Sequence, residues 1–464
     1  MSFDTYLNLV FGVILVLVIS IIIAIIQAKT TRTGRKQIRH FKCLILLLLG
    51  LLPVLTIIFL LSSFQQKKAT YNQYIDYAYI DLDAHDYLSA AEHYNLASAA
   101  SYDLDTRLKA TYGEGMCFFL YATEDYEPQY YQNAAKIYTA IIKTPEYSNS
   151  KYYIDAVADM SSIYYFTNYS ADNTEWIEII ERLESSSIAS KKIQDISTQD
   201  DLSLKLKTVL ALGLYYEHAT YSSLDNLKNT KLSSKALMYF DEFNTLYHMT
   251  VESEGSISVS KLYTGNIINI SDFLLTYGIF SNEPTNYFNA AIKLCETELD
   301  RVNIKNIKPA EYFNLKKNIG KGLIFLSYAY DDQKNVYLEK AYQILSPLIG
   351  FDDEDARTAL LDIGYYLVMT NLCSNEELDR ILGIYASNIQ PTSTVSDASS
   401  RCKILLSACT VCRWIVDNYE YSSSAIVNGL HYADVLNTEL YDFLNDDDQN
   451  TAEEFYNFFH NHSN

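Results

Sequence analysis

The sequence predicts an all-α fold in which an N-terminal transmembrane helical hairpin carries a solenoid of helix-turn-helix repeats. Three observations predict it: two uncharged apolar runs near the N-terminus, only 15 Gly and 7 Pro in 464 residues, and an internal repeat within the large remaining domain. Gly and Pro fall well below their usual shares of roughly 7% and 5%, so few positions are set aside for turns, bulges or helix breaks. Past residue 70 the pattern is a succession of helical stretches of roughly 12 to 20 residues with short polar breaks, and no strand alternation emerges. An apolar content of 49% is ample for a buried core.

The hairpin comes first. From Tyr6 to Ala28 the chain carries no charge, and at about 1.5 Å rise per residue this run spans a hydrocarbon core of roughly 30 Å. A second uncharged run covers Cys43–Phe64 and contains Pro53, which a transmembrane helix tolerates. A cleavable signal peptide fits the first run poorly, because no basic residue precedes it and no small-residue cleavage site follows. Between the runs, the loop 29–42 holds Lys29, Arg32, Arg35, Lys36, Arg39 and Lys42 and no acid. Basic loops stay in the cytoplasm. The expected location is therefore the cell membrane, multi-pass, with loop 29–42 cytoplasmic and everything after about residue 65 extracytoplasmic.

Charge separates the two parts of the chain. Residues 1–68 hold eight basic residues and one acidic residue, leaving 28 basic against 56 acidic beyond them, a net of −28. A domain so acidic is repelled by nucleic acid and by anionic membrane surfaces. Partners with basic surfaces are the expectation. Tyr is unusually abundant at 41 residues; AT-rich codon bias, a tyrosine-lined binding groove, or both together account for it.

Displacing the chain by 207 residues lays Leu108–Ile142 over Leu315–Ile349 without a gap, with 12 of 35 positions identical. Chance gives roughly two or three at this composition. The identities include Gly113/Gly320, Gly115/Gly322, Phe118/Phe325, Tyr121/Tyr328 and Ala134/Ala341. Stacked helix pairs need a small residue where two helices approach and bulky ones nearby to fill the layer. That spacing recurs as Ala90/Tyr94/Ala97, Ala134/Tyr138/Ile141, Ala236/Phe240/Phe243 and Ala341/Leu345/Leu348, with Leu212-Gly213…Tyr216 and Ile363-Gly364…Leu367 in first helices.

These residues resemble the tetratricopeptide repeat family, most clearly over Asp86–Tyr102 (DYLSAAEHYNLASAASY). The resemblance spans about residues 71–435 with four or five strong units. Glycine-to-alanine spacings of 19 (Gly115 to Ala134) and 23 (Gly213 to Ala236) depart from the family's twelve, so Sel1-like and other α-solenoid pairs stay open. The resemblance implies a superhelix whose concave face holds a peptide or a partner helix. The organisation expected is a hairpin at 1–68 (helices 6–28 and 43–64), a tetratricopeptide-like solenoid at 69–435, and capping helices and tail at 436–464. The tail reads as helices 396–418 and 422–444, an acidic break at Asn445–Asn450 and a last amphipathic piece, Thr451–His460.

No metalloprotease, nucleophile-elbow or phosphate-loop motif is present. His85 beside Asp81, Asp83 and Asp86 reads as helix capping at a turn, as does Asp352–Asp355. Cys409 and Cys412 form a CxxC with Cys402 on the same face, but the surrounding ILLSACTVCRWIV is that of a buried helix. Asn168, Asn269 and Asn461 head formal glycosylation sequons. No catalytic, cofactor or metal residue is expected, and the partner-binding residues are not assigned. The functional expectation is a non-enzymatic, membrane-anchored scaffold or adaptor of a bacterial envelope, secretion or cell-surface assembly. The alternative is an extracellular binding protein for a small ligand, peptide or glycan that uses a tyrosine-lined groove.

Overall fold

The structure, a computed structural model, describes the backbone of residues 34–124, 127–148, 150–223, 226–254, 262–302, 307–351, 356–389, 395–420 and 423–463, with residues 19, 22, 23 and 26. Among the described residues the fold is all-α, with eighteen α-helices, six short 3-10 turns and no strand. Two compact units form, Met1–Thr167 and Asn168–Asn464.

The first unit contains α1 (Gly34–Asp83), α2 (Tyr87–Ala100), α3 (Leu104–Glu124), α4 (Gln129–Ile142) and α5 (Lys151–Phe166), each packed chiefly on its chain neighbours. The anticipated spans 6–28 and 43–64 fall mostly on residues whose side chains lie outside the description, and among the described residues no helix is long and apolar enough to cross a membrane. One boundary differs from expectation. The helix begins within the basic segment at Gly34 and runs without interruption past residue 68 to Asp83. The linking residues Gln65, Gln66, Lys67, Lys68 and Ala69 are strong helix formers. The far end of α1 then becomes part of the core: Tyr71, Ile75 and Ala78, at i, i+4 and i+7, pack with Tyr87, Ala90, Tyr94 and Ala97 of α2 and with Ala110 and Cys117 of α3.

A buried carboxylate joins the next three helices. Asp159 of α5 accepts from the hydroxyls of Tyr112 (2.8 Å) on α3 and Tyr138 (3.1 Å) on α4, and the two rings stack at 5.9 Å.

The second unit contains α6 (Thr174–Glu184), the single turn α7 (Ser187–Ser190), α8 (Gln199–Ser222), α9 (Asn226–Glu254), α10 (Leu262–Tyr277), α11 (Pro284–Arg301), α12 (Pro309–Ala329), α13 (Lys334–Leu345), α14 (Arg357–Val368), α15 (Asn375–Asn388), α16 (Val395–Asn418), α17 (Ser423–Thr438) and α18 (Asp446–His462). The acidic stretch after Asn445 is not a break. Asn445 caps α18 by accepting from the Asp448 amide at 2.9 Å, and Asp446, Asp447 and Asp448 fill its first turn, where the positive end of the helix favours them.

Every member of the four small-bulky-apolar triplets is buried. The internal repeat coincides with two helix pairs, α3–α4 and α12–α13. Their glycines are close-packing positions, since a Cβ on Gly113 would lie 2.6 Å from Tyr94 and one on Gly115 2.7 Å from Tyr138. In the second pair the partners are exchanged. Gly320, the counterpart of Gly113, meets Leu345 of the following helix, and Gly322 meets Ile292 of the preceding pair, each at 2.7 Å. Two residues along a helix turn it by roughly 200°, so the glycines point to opposite neighbours and can swap them. What recurs is the placement of helix pairs and the need for Gly at their crossings.

Buried ions tie the middle of the second unit. Glu298 of α11, fully buried, is held by Arg301 (Nε to Oε2, 2.7 Å) and by the hydroxyls of Tyr247 on α9 and Thr264 on α10. Lys205 of α8, only 1% exposed, donates to the Ala189 carbonyl (2.6 Å) and pairs with Glu242 of α9 (2.8 Å).

Two stability outcomes follow from this packing. Gly213→Val sets a branched side chain into the Phe240 ring and should cost about 1–3 kcal/mol, read as a lower denaturant midpoint of the purified full chain. Glu298→Ala removes the buried acceptor shared by Arg301, Tyr247 and Thr264 and should cost about 3–5 kcal/mol, while replacing Glu298 and Arg301 together by Met should cost much less; equal losses would overturn this expectation.

Candidate functional site

Eleven tyrosines are buried among the described residues, including Tyr94, Tyr138, Tyr247 and Tyr385. These eleven of the 41 tyrosines fill the core, several with hydroxyls spent on buried acceptors such as Asp159, Glu298 and the Leu361 carbonyl (2.9 Å from Tyr385). A smaller set opens to solvent in a cleft of about 590 Å³ within the second unit.

One wall of the cleft is α9. Thr230, Ser233, Ser234, Leu237 and Asp241 recur at helical spacing and so share one face. The opposite wall begins with Tyr277 at the end of α10, continues through the 3-10 turn Gly278–Phe280 and the residues Ser281, Asn282 and Glu283, and closes on Asn286 and Tyr287 in the first turn of α11. The turn forms because Gly278 admits close approach, since a Cβ there would lie 2.7 Å from Cβ of Tyr287. Pro284 then starts α11 at a position where its missing N–H costs nothing. Tyr277 is held from behind, stacked on Phe273 at 4.5 Å and edge-on to Tyr221 at 5.7 Å. Phe280 is 80% exposed on the lip.

The electrostatics are one-sided. Asp241 and Glu283 line the cleft, and among the described residues no Lys, Arg or His does. Desolvation pushes the Asp241 carboxyl above its ordinary range. Desolvation, then the charges of Asp241 and Glu283, raise the Tyr287 phenol. Glu283 is steadied by Asn286, whose amide donates to Oε2. The arrangement offers two negative charges and three aromatic rings to a cation. A second cavity of about 530 Å³, lined by Phe351, Arg357, Arg380 and Asn388, has the opposite sign, although Arg380 is engaged by Glu376 at 2.7 Å.

The residues singled out in sequence are dispersed. His85 lies at the α1–α2 turn with φ 59° and its Nδ1 2.7 Å from the Tyr87 hydroxyl. Asp86 caps α2 through the Ser89 amide (3.1 Å), as expected, whereas Asp81 turns to His93 (2.6 Å). Asp352–Asp355 lie outside the described residues. Cys402, Cys409 and Cys412 are buried along α16, and burial pushes the Cys412 thiol up to about 12 and the Cys409 thiol well above its ordinary value. Ser271, in the Asn269 sequon, is fully buried in α10. Among the described residues no group of His, Cys, Asp or Glu is placed to hold a metal ion. The chain matches no protein-family model and no curated protein.

None of the cleft residues was singled out in sequence. The available signals were weak: a small and polar face on α9, and an isolated Phe280 between Gly278 and Pro284.

A cation held by Asp241 requires its ionised form. Binding of tetramethylammonium, followed by tyrosine fluorescence or NMR shifts, should weaken as pH falls through the raised Asp241 pKa, beginning above the ordinary aspartate value of about 3.9. Removing that proton site in Asp241→Asn should flatten the profile.

Proposed function

We propose that the chain is a non-enzymatic, membrane-anchored scaffold of tetratricopeptide-like construction. Its acidic aromatic cleft recruits a protein partner that presents Lys or Arg side chains, in an envelope, secretion or cell-surface assembly. The observation that carries this reading is the cleft lining, with Asp241 and Glu283 flanked by Tyr277, Tyr287 and Phe280 and no basic residue among the described lining residues. A cation over an aromatic face gains roughly 0.5–2 kcal/mol depending on its desolvation. The net charge of −28 beyond residue 68 adds long-range attraction that speeds encounter with a basic partner.

The anchor has support from the described end of the second apolar run. Ile57, Leu60, Leu61 and Phe64 are all exposed on α1, and polar Gln65–Lys68 follow at once. An apolar cluster of this kind in water marks a surface meant to be covered. The basic loop 29–42 supports the orientation with that loop in the cytoplasm. A second reading, an extracellular small organic cation or glycan in the same cleft, draws on its volume, which falls within the usual range of ligand pockets.

Affinity capture with the full chain in detergent should retain a partner that elutes as salt is raised. Retention should fall about tenfold or more in the Asp241→Asn, Glu283→Gln double variant. Retention indifferent to both changes would remove the cleft from the account. Saturable binding of a free amine or sugar that displaces no protein would favour the second reading.

A further inference from the structure

The surroundings of α1 change within a short distance. Ile57, Leu60, Leu61 and Phe64 are uncovered apolar side chains, Gln65–Lys68 are exposed and polar, and Tyr71 is buried in the core. From Phe64 to Tyr71 is about 10 Å along the helix axis. The turn between α2 and α3 lies at this level. The Tyr102 ring is edge-on to Phe64 at 5.1 Å and edge-on to Tyr71 at 5.7 Å, bridging the last apolar residue of the run and the first core residue of the domain. Two residues on, Leu104 opens α3 half exposed.

The charges around this turn suit a polar boundary. Asp103 is folded back as a cap, accepting from the Thr106 amide at 2.8 Å and its hydroxyl at 2.7 Å. Arg107 reaches back to the Ser101 hydroxyl at 3.4 Å and remains exposed, as do Lys67 and Lys68; Asp103 and Asp105 are exposed acids nearby.

We propose that the α2–α3 turn is a membrane foot, with Tyr102 at headgroup level and Leu104 in the headgroup–acyl boundary of the bilayer that α1 enters. The proposal rests on the anchor reading above. Tyrosine favours that depth because its ring is apolar and its hydroxyl is wet, and Lys and Arg beside it can reach lipid phosphates. The occupant is lipid because the exposed apolar stripe on α1 is continuous in sequence with an uncharged run of 22 residues, Cys43–Phe64. A second contact beside the span fixes its tilt, which one helix alone leaves free.

The test uses the full chain reconstituted in phosphatidylcholine vesicles, with Cys43→Ser and Cys373→Ser; the other five cysteines are buried. An environment-sensitive NBD label is placed through Leu104→Cys, and in a control through Ile80→Cys, an exposed α1 site 16 residues beyond Phe64 and so roughly 24 Å along the axis. The label at position 104 should emit further to the blue. It should be quenched at least about twofold more strongly by doxyl-lipid, and correspondingly less by aqueous iodide, than the label at position 80. Equal iodide access at both positions in chains that float with the vesicles would overturn the foot while leaving the anchor. Failure to float after an alkaline wash would overturn the anchor, and the foot with it.

Discussion

The approach of a glycine to a bulky side chain at a series of helix contacts is the constraint on which the rest of the structure depends. Gly113 lies under Tyr94, Gly115 under Tyr138, Gly213 under Phe240 and Gly429 under Phe459. Each glycine lets a backbone come close against an aromatic ring. Such close packing leaves no room for an added methylene. It also explains why a chain so poor in Gly keeps several of them in helices, where they are intrinsically unfavourable. The alanines at 90, 134, 236 and 341 are fully buried as well.

Polar groups then fix which neighbours meet. Aromatic and aliphatic packing alone would let helices rotate or slide at modest cost. The carboxylates of Asp159 and Glu298 each tie three helices together, their own included, and Lys205 joins α8 to α9 and to the Ala189 carbonyl. A helix rotated out of register would leave one of these groups buried and alone, which is far more costly than a small void.

Helix content and core positions were legible in the sequence because they rest on local spacing. The Ala/Tyr/Ala and Gly-containing patterns named residues that are in fact buried, and the α3–α4 and α12–α13 pairs could be aligned by their shared glycines. The exchange of partners between those pairs was not legible, since it depends on which side of a helix its neighbours occupy. The run Asn445–Asn450 looked like a break because three aspartates in a row are poor helix-interior residues; a helix N-terminus reverses that preference. The cleft was least legible of all. Its walls come from the middle of α9 and from a turn some forty residues later, and no spacing rule links an aspartate on a long helix to an exposed phenylalanine in a loop.

The continuity of α1 has a mechanical consequence. Gly34–Asp83 is one helix of 50 residues, roughly 75 Å long, with its last turns embedded in the core through Tyr71, Ile75 and Ala78. Gly50 and Pro53 fall within it, yet the helix continues through both. A twist or tilt imposed on the basic end is therefore delivered to the first unit as torque on packed side chains. The helix behaves as a shaft, and load applied at one end arrives at the other as a change in how α2 and α3 seat against it.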